Sequence, residues 1–221
     1  MAAQIIASYD GTPNDDDALI LGRALAAGIS RLALAYVRHS HEFDPRREEL
    51  AQHDAVRRLQ AGVELLADSS VETHVIFGAS TGDGLEELAE RQGASILVFG
   101  SDYRTAPGRA EPGNTAQRLL DGGSLAIAVA SAGLRLHPER PIQTIAAAGS
   151  PDPVVRSLLE TLAPRLGAEI LAADSPADLL LVGSSPDGRF GRVTLSGASR
   201  AALNAARGSV LVLARDVAPA L

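Results

Sequence analysis

Asp15-Asp16-Asp17 places three carboxylates in a row, enough to hold a hard cation if they could converge. Successive residues on a helix point about 100° apart, so these three diverge. At the start of an apolar-periodic segment they complement the positive end of a helix instead. His39-x-His41 offers two imidazoles with no third ligand at useful spacing, which falls short of a metal site, and His53 and His74 read as helix-surface and strand residues. Ser101 carries a nucleophile's side chain, but no histidine is placed to serve it and Gly-x-Ser-x-Gly is absent. Gly78-Ala79-Ser80-Thr81-Gly82-Asp83-Gly84 has the glycine content of a phosphate loop without the Gly-Lys-Ser/Thr ending of Walker A. It reads as a strand-to-helix connection beside a ligand crevice. All 20 basic residues are Arg and the cysteine count is 0, so lysine Schiff bases, a P-loop lysine, thiolate nucleophiles and cysteine-ligated zinc are excluded.

The elements that must position these residues are those of an ordinary globular chain. Apolar residues make up 46% and charged residues 21% of the 221, so a real core is expected and wholesale disorder is not. Aromatics are only 3% with no Trp, so the core is built from Ala, Leu, Val and Ile, and base-stacking platforms are scarce. A net charge of −7 opposes a polyanion, and nucleic acid is not an expected partner. No apolar run reaches ~18 residues and Met1 to Ile6 is not a leader, so neither a membrane span nor a signal peptide is expected. The lack of cysteine fits a cytoplasmic chain.

Ile5–Tyr9, Leu32–Val37, Val71–Phe77, Ile96–Gly100 and Leu125–Ala130 read as short buried strands. Asp15–Ala27, Glu48–Ala67, Gly84–Gln92 and Thr115–Leu120 read as the helices between them. This alternation is α/β: a parallel five-stranded sheet with helices on both faces, and a ligand crevice at the carboxyl ends of the strands.

Gly133–Pro141 breaks the pattern with prolines and charge, which divides the chain into 1–133, a linker 134–141, and 142–221. The second part repeats the first. Ala7-Ser8-Tyr9-Asp10-Gly11-Thr12-Pro13 lines up with Ile145-Ala146-Ala147-Ala148-Gly149-Ser150-Pro151 at an offset of 138. Ile96–Ser101 lines up with Leu179–Ser184 at an offset of 83, in step through Gly108/Gly191, Arg109/Arg192 and Ile127/Val210. The 55 residues missing from the second copy correspond to about His39 to Gly93, two helices and the strand between them. Leu125–Ala130 and Val210–Leu213 are expected to pack against each other, because an apolar sheet edge left open is an aggregation hazard. If Glu169–Ala173 and Leu179–Gly183 both ran parallel to the strand at 145–148, Asp174–Asp178 would be nearly fully extended. Glu169–Ala173 is therefore expected to be antiparallel, at an edge, or outside the sheet. About three strands should then lean on the first half for their core.

A first strand ending in Asp10-Gly11-Thr12, a fourth ending in Gly100-Ser101, Gly113 thirteen positions on, a helix, and Ala126-Ile127-Ala128-Val129 together resemble the universal stress protein family in its tandem form, with a truncated second copy. The family's glycine motif is met at Gly100 and Gly113; Tyr103 replaces its second glycine, and Asn114 takes its Ser/Thr place with Thr115 directly after. The resemblance implies ATP or another adenine nucleotide in the first half, with Asp10 and Val37 at the adenosine and Gly100, Gly113, Asn114 and Thr115 at the phosphates. Gly11, Thr12, Ser101 and Gly108 flank them in the same two loops. Glycines let backbone N–H groups approach an anion, which gives that reading its physics. Asp10 equally suits a plain strand-to-helix turn, with Thr12 or Asn14 capping the helix. In the second copy Ala148 stands for Asp10 and Ser196-Gly197 for Gly113-Asn114; its loop Ser184–Arg192 suits an anion, and no nucleotide is expected there. The function implied is a regulatory binding module without turnover, an intrachain pseudo-dimer that could also form a homodimer. The alternative is a scaffold for protein partners that binds no nucleotide.

Overall fold

The computed structural model describes residues 4–26 and 30–220. Ala27, the expected end of the first helix, lies outside the described residues. The chain runs β1 (Gln4–Ser8), α1 (Pro13–Ala26), β2 (Arg31–Arg38), α2 (Pro45–Leu66), β3 (Glu72–Phe77), α3 (Thr81–Gln92), β4 (Ala94–Phe99), α4 (Asn114–Leu120) and β5 (Ala126–Val129). After a 3-10 turn at Leu134–Leu136 come β6 (Thr144–Ala147), α5 (Pro153–Leu166), β7 (Glu169–Ile170), β8 (Leu179–Val182), α6 (Gly197–Ala205) and β9 (Ser209–Val212). The helices begin one to three residues earlier than their apolar periodicity shows, because polar caps and prolines start them. Asp44 accepts from the backbone N–H groups of Arg46 and Arg47 ahead of α2, and Ser80 from that of Asp83 ahead of α3.

The nine strands of the described residues belong to one sheet, in the order β3-β2-β1-β4-β5-β9-β8-β6-β7. The five strands expected in the first half are present and parallel, but they do not form a sheet of their own. Four more strands continue it across one antiparallel junction, where Ile127, Ala128 and Val129 of β5 face Val212, Leu211 and Val210 of β9. The expected pairing of these two edges is thus what joins the halves. Strand alternation sends successive residues to opposite faces, Ile5 and Ala7 to one and Ile6 to the other. The first face is covered by α1, α2 and α5, the second by α3, α4 and α6, and each apolar layer runs unbroken through both halves.

The chain-reach argument needs a correction. The segment expected at Glu169–Ala173 does lie at the edge, but β7 is parallel to β6, and β8 is parallel to β6 as well. The strand proper is Glu169–Ile170, but Leu171 and Asp174 still donate to the Ile145 and Ala147 carbonyls of β6, so the return to β8 is made within 175–178, a span nearly as short as the one that counted against a parallel β7. Among the described residues no helix is long and apolar enough to cross a membrane.

Candidate functional site

The carboxyl ends of the strands carry the loops in which the candidate residues lie. After β1, the Asp15 carboxylate folds back over the turn and accepts from the backbone N–H groups of Asp10 and Thr12 at 3.1 and 3.0 Å and from the Thr12 hydroxyl at 2.7 Å. Gly11, at φ +83°, makes that turn possible. The Asp10 carbonyl accepts from Arg58 at 2.8 Å. Water stripped away by the surrounding protein, and then the like charge of Asp15, raise the Asp10 carboxyl above its ordinary value, against the pull of Arg58 and His39. Asp16 accepts from the Tyr9 hydroxyl and Asp17 from the backbone of Gly133 and Arg135, so the three carboxylates diverge as helix geometry requires.

The loop after β4 packs closely against α1. A Cβ on Gly100 would run into the backbone carbonyl of Asn14, so glycine is there to let α1 approach. The Asn14 amide then donates to the carbonyls of Ser101 and Asp102 at 2.8 and 3.0 Å and ties this loop to α1. Ser101 is buried, donates to the Ala130 carbonyl at 2.6 Å and accepts from the Glu111 N–H at 3.1 Å, which spends its hydroxyl on the fold. Gly108, at φ +76°, donates to Ala132, and Arg109 reaches across to the Asn204 carbonyl at the end of α6. Tyr103 stands exposed under the Arg104 guanidinium.

Val37 is buried in the core, where its methyl would meet a Cβ on Gly84 of α3. Asn114 and Thr115 line a cavity of about 320 Å³ with Ser80, Asp83, Arg118 and Arg192, and neither Asp10, Val37 nor Gly100 belongs to its lining. This cavity thus gathers two of the ten candidate residues. Gly113 caps α4 without a side-chain bond. The Gly78–Gly84 loop is the expected strand-to-helix connection, with Ser80 and Asp83 bonded to each other at 2.7 Å. His39 faces the Gly78 carbonyl and His41 stacks on Phe77, and among the described residues no group of three metal-ligating side chains forms.

The larger strand-end cavity lies in the second half, where no nucleotide pocket was expected. About 520 Å³ in volume, it opens between the loop after β6 (Gly149, Ser150, Asp152), the loop after β8 (Gly183 to Pro186) and the start of α6 (Ser196 to Ser199), with Asp174 and Asp216 at its rim. It sits between β6 and β8, the crevice position of a doubly wound sheet. One residue pair sets the turns of the two halves apart. Asp152 occupies the place of Asn14 at the 138-residue offset, and an ionised carboxylate has no hydrogen to give the opposite loop. Its Oδ1 instead caps α5, accepting from Val155 N–H at 2.9 Å. The sequence held this difference in the aligned turns Asp10–Asn14 and Ala148–Asp152.

The two glycine loops repeat each other bond for bond. Ser184 donates to Leu213 and accepts from Thr194, as Ser101 does with Ala130 and Glu111. Gly191 donates to Arg215 as Gly108 does to Ala132. Arg192 reaches across to the Gly122 carbonyl just past α4, the counterpart of Arg109 at the end of α6. Each loop thus clamps the other half by placing a guanidinium on carbonyls at a helix carboxyl end.

No protein-family model matches the chain, and no curated protein matches its sequence. Solved structures do match. A universal stress protein from Archaeoglobus fulgidus DSM 4304 superposes with a TM-score of 0.68 at 12% identity, covering 96% of this chain and 98% of that one. A functionally unknown protein from Pseudomonas aeruginosa PAO1 gives 0.67 at 14% identity, covering 97% and 93%. At such identities the likeness is one of architecture: over almost its whole length this chain has the α/β fold of a universal stress protein.

Proposed function

We propose that this chain is a non-catalytic, cytoplasmic binding module of universal-stress type, two copies in tandem divided near 134–141, with a ligand crevice in the second, truncated copy. The tandem reading is supported by the sheet order, which runs outward from the β5–β9 junction as β4-β1-β2-β3 on one side and β8-β6-β7 on the other. It is supported further by the bond-for-bond match of the glycine loops. The observation that carries the placement of the ligand is the Asn14/Asp152 exchange: the amide shuts the first crevice and the carboxylate leaves the second open at about 520 Å³, a size typical of small-molecule sites. The clamp made by Arg109 and Arg192 gives the glycine motif a structural task that needs no nucleotide.

A second reading, an adenine nucleotide held by the first half, is favoured by one observation, that Asn114 and Thr115 line the 320 Å³ cavity beside Arg118 and Arg192. It fits poorly with the packed Gly100 and the spent Ser101. Thermal-shift measurements with ATP, AMP and a panel of metabolite-sized compounds separate the two. We expect stabilisation that survives Thr115→Arg and is lost in Ala198→Trp, which fills the second crevice from the exposed start of α6. ATP stabilisation lost only in Thr115→Arg would establish the second reading, and no stabilisation by any compound would overturn the binding function itself.

A further inference from the structure

The chemistry of the second crevice is that of a cation site. Three carboxylates line it, Asp152, Asp174 and Asp216, against the single guanidinium of Arg215. Arg215 is already engaged: its Nε lies 3.1 Å from Asp216 and its Nη1 donates to the Gly188 carbonyl. Asp152 and Asp174 have no cationic partner among the described residues. Each uses one oxygen on the backbone, Asp152 on Val155 N–H at 2.9 Å and Asp174 on Gly149 N–H at 2.7 Å, and keeps the other Oδ without a protein donor. The hydroxyls that could hold an anion are partly spent, since Ser199 donates to the Gly183 carbonyl and Ser196 accepts from Ser199 N–H. The rest of the lining includes the small apolar side chains of Ala148, Val155, Ala198 and Ala202.

We propose that this crevice binds a small organic ammonium ion, a primary or secondary aliphatic amine, and disfavours phosphate-bearing ligands. The proposal rests on the reading of the crevice as a ligand site. An ammonium N–H donor matches the two free carboxylate oxygens in a charge-assisted hydrogen bond, and the alkyl body lies on the alanine and valine wall. Aromatic residues do not line the cavity, so it lacks the cage of ring faces by which quaternary ammonium ions are recognised, and the ligand's N–H groups must do the recognition. A phosphate would bring its charge against two carboxylates with no free guanidinium to offset them.

Calorimetric titration of the full chain with 1,4-diaminobutane, tetramethylammonium, inorganic pyrophosphate and ATP tests this. We expect diaminobutane to bind at least tenfold more tightly than tetramethylammonium, with weakening at higher salt and no crevice-dependent heat from pyrophosphate or ATP. Asp152→Ser and Asp174→Asn keep the helix cap and the bond to Gly149, because a hydroxyl and an amide oxygen still accept, and neither places an amide donor at the position of Asn14, so both fold with the crevice open. Each should weaken diaminobutane at least tenfold, whereas Asp187→Asn, in the same loop but outside the lining, should not. Pyrophosphate or ATP binding more tightly than the amine and lost in Ala198→Trp would overturn the charge assignment and leave the crevice standing. Amine binding unchanged in both Asp variants but lost in Ala198→Trp would do the same. No binding by any of the four probes, or binding indifferent to Ala198→Trp, would overturn the proposal, and the latter would remove the crevice reading with it.

Discussion

Asp17 has no exposed surface, and it accepts from the N–H groups of Gly133 and Arg135 and from the Arg135 guanidinium at 2.8, 2.7 and 2.9 Å. One residue of α1 thereby holds the start of the connection between the halves. Asp17→Asn turns a donor toward those donors, and a buried network broken on one side costs about 2–4 kcal/mol. A drop in the urea midpoint with an unchanged slope is the expected result. At the end of β2, Glu48 takes both Nη atoms of the buried Arg38 at 2.8 Å and the Glu42 N–H at 2.8 Å. Those bonds, the Arg38 pair first, hold its carboxyl down at about 2. A folded value below the ordinary 4.5 means the pair's contribution is complete above that pH and is lost as pH falls from 4.5 through about 2. Glu48→Gln should therefore be less stable than the parent at pH 7, and the gap should close by pH 2 in denaturation curves taken across that range.

At the level of elements, the junction of β5 with β9 decides whether the first half can stand alone. Ile127, Ala128 and Val129 would lose their antiparallel partners in a chain ended at Pro141, and the open edge would be apolar and flanked by other buried strands. Such an edge templates pairing with another copy. We expect the 1–141 fragment to elute as dimers or larger aggregates in size-exclusion chromatography while the full chain does not aggregate, and a monomeric, soluble fragment would refute this. The glycine loops work at the same scale. They cross the junction in both directions, Arg109 to the Asn204 carbonyl and Arg192 to the Gly122 carbonyl, and so tie the halves together.

Across the whole molecule, one nine-stranded sheet with two unbroken apolar layers leaves no plane along which the halves can separate without exposing core. Thermal unfolding should be a single cooperative transition, with calorimetric and van't Hoff enthalpies equal. Two resolved transitions, or a tryptic intermediate near 133–141, would show that the halves unfold independently.

The alternation of short apolar runs with amphipathic segments was enough to place all five strands of the first half, because strand and helix periods are local properties of the chain. It did not place the face of α2, since Leu50 and Val56 share the apolar spacing of Leu59 and Val63 yet stand exposed. The pairing of Leu125–Ala130 with Val210–Leu213 could also be read in advance, since two apolar edges must find cover. The direction of β7 could not be read that way: residues 175–178 suffice for the return because β8 docks directly on the other side of β6. Nor could the roles of Gly100, Ser101 and Gly108, whose types suit a phosphate loop and a packing clamp alike. The packing they make comes from the close approach of α1 to the end of β4, which brings together residues some 87 positions apart in sequence. The exchange of Asn14 for Asp152 was visible in the aligned turns, yet what each side chain bonds to, the loop after β4 for Asn14 and the start of α5 for Asp152, is fixed by which groups stand opposite it in the folded chain.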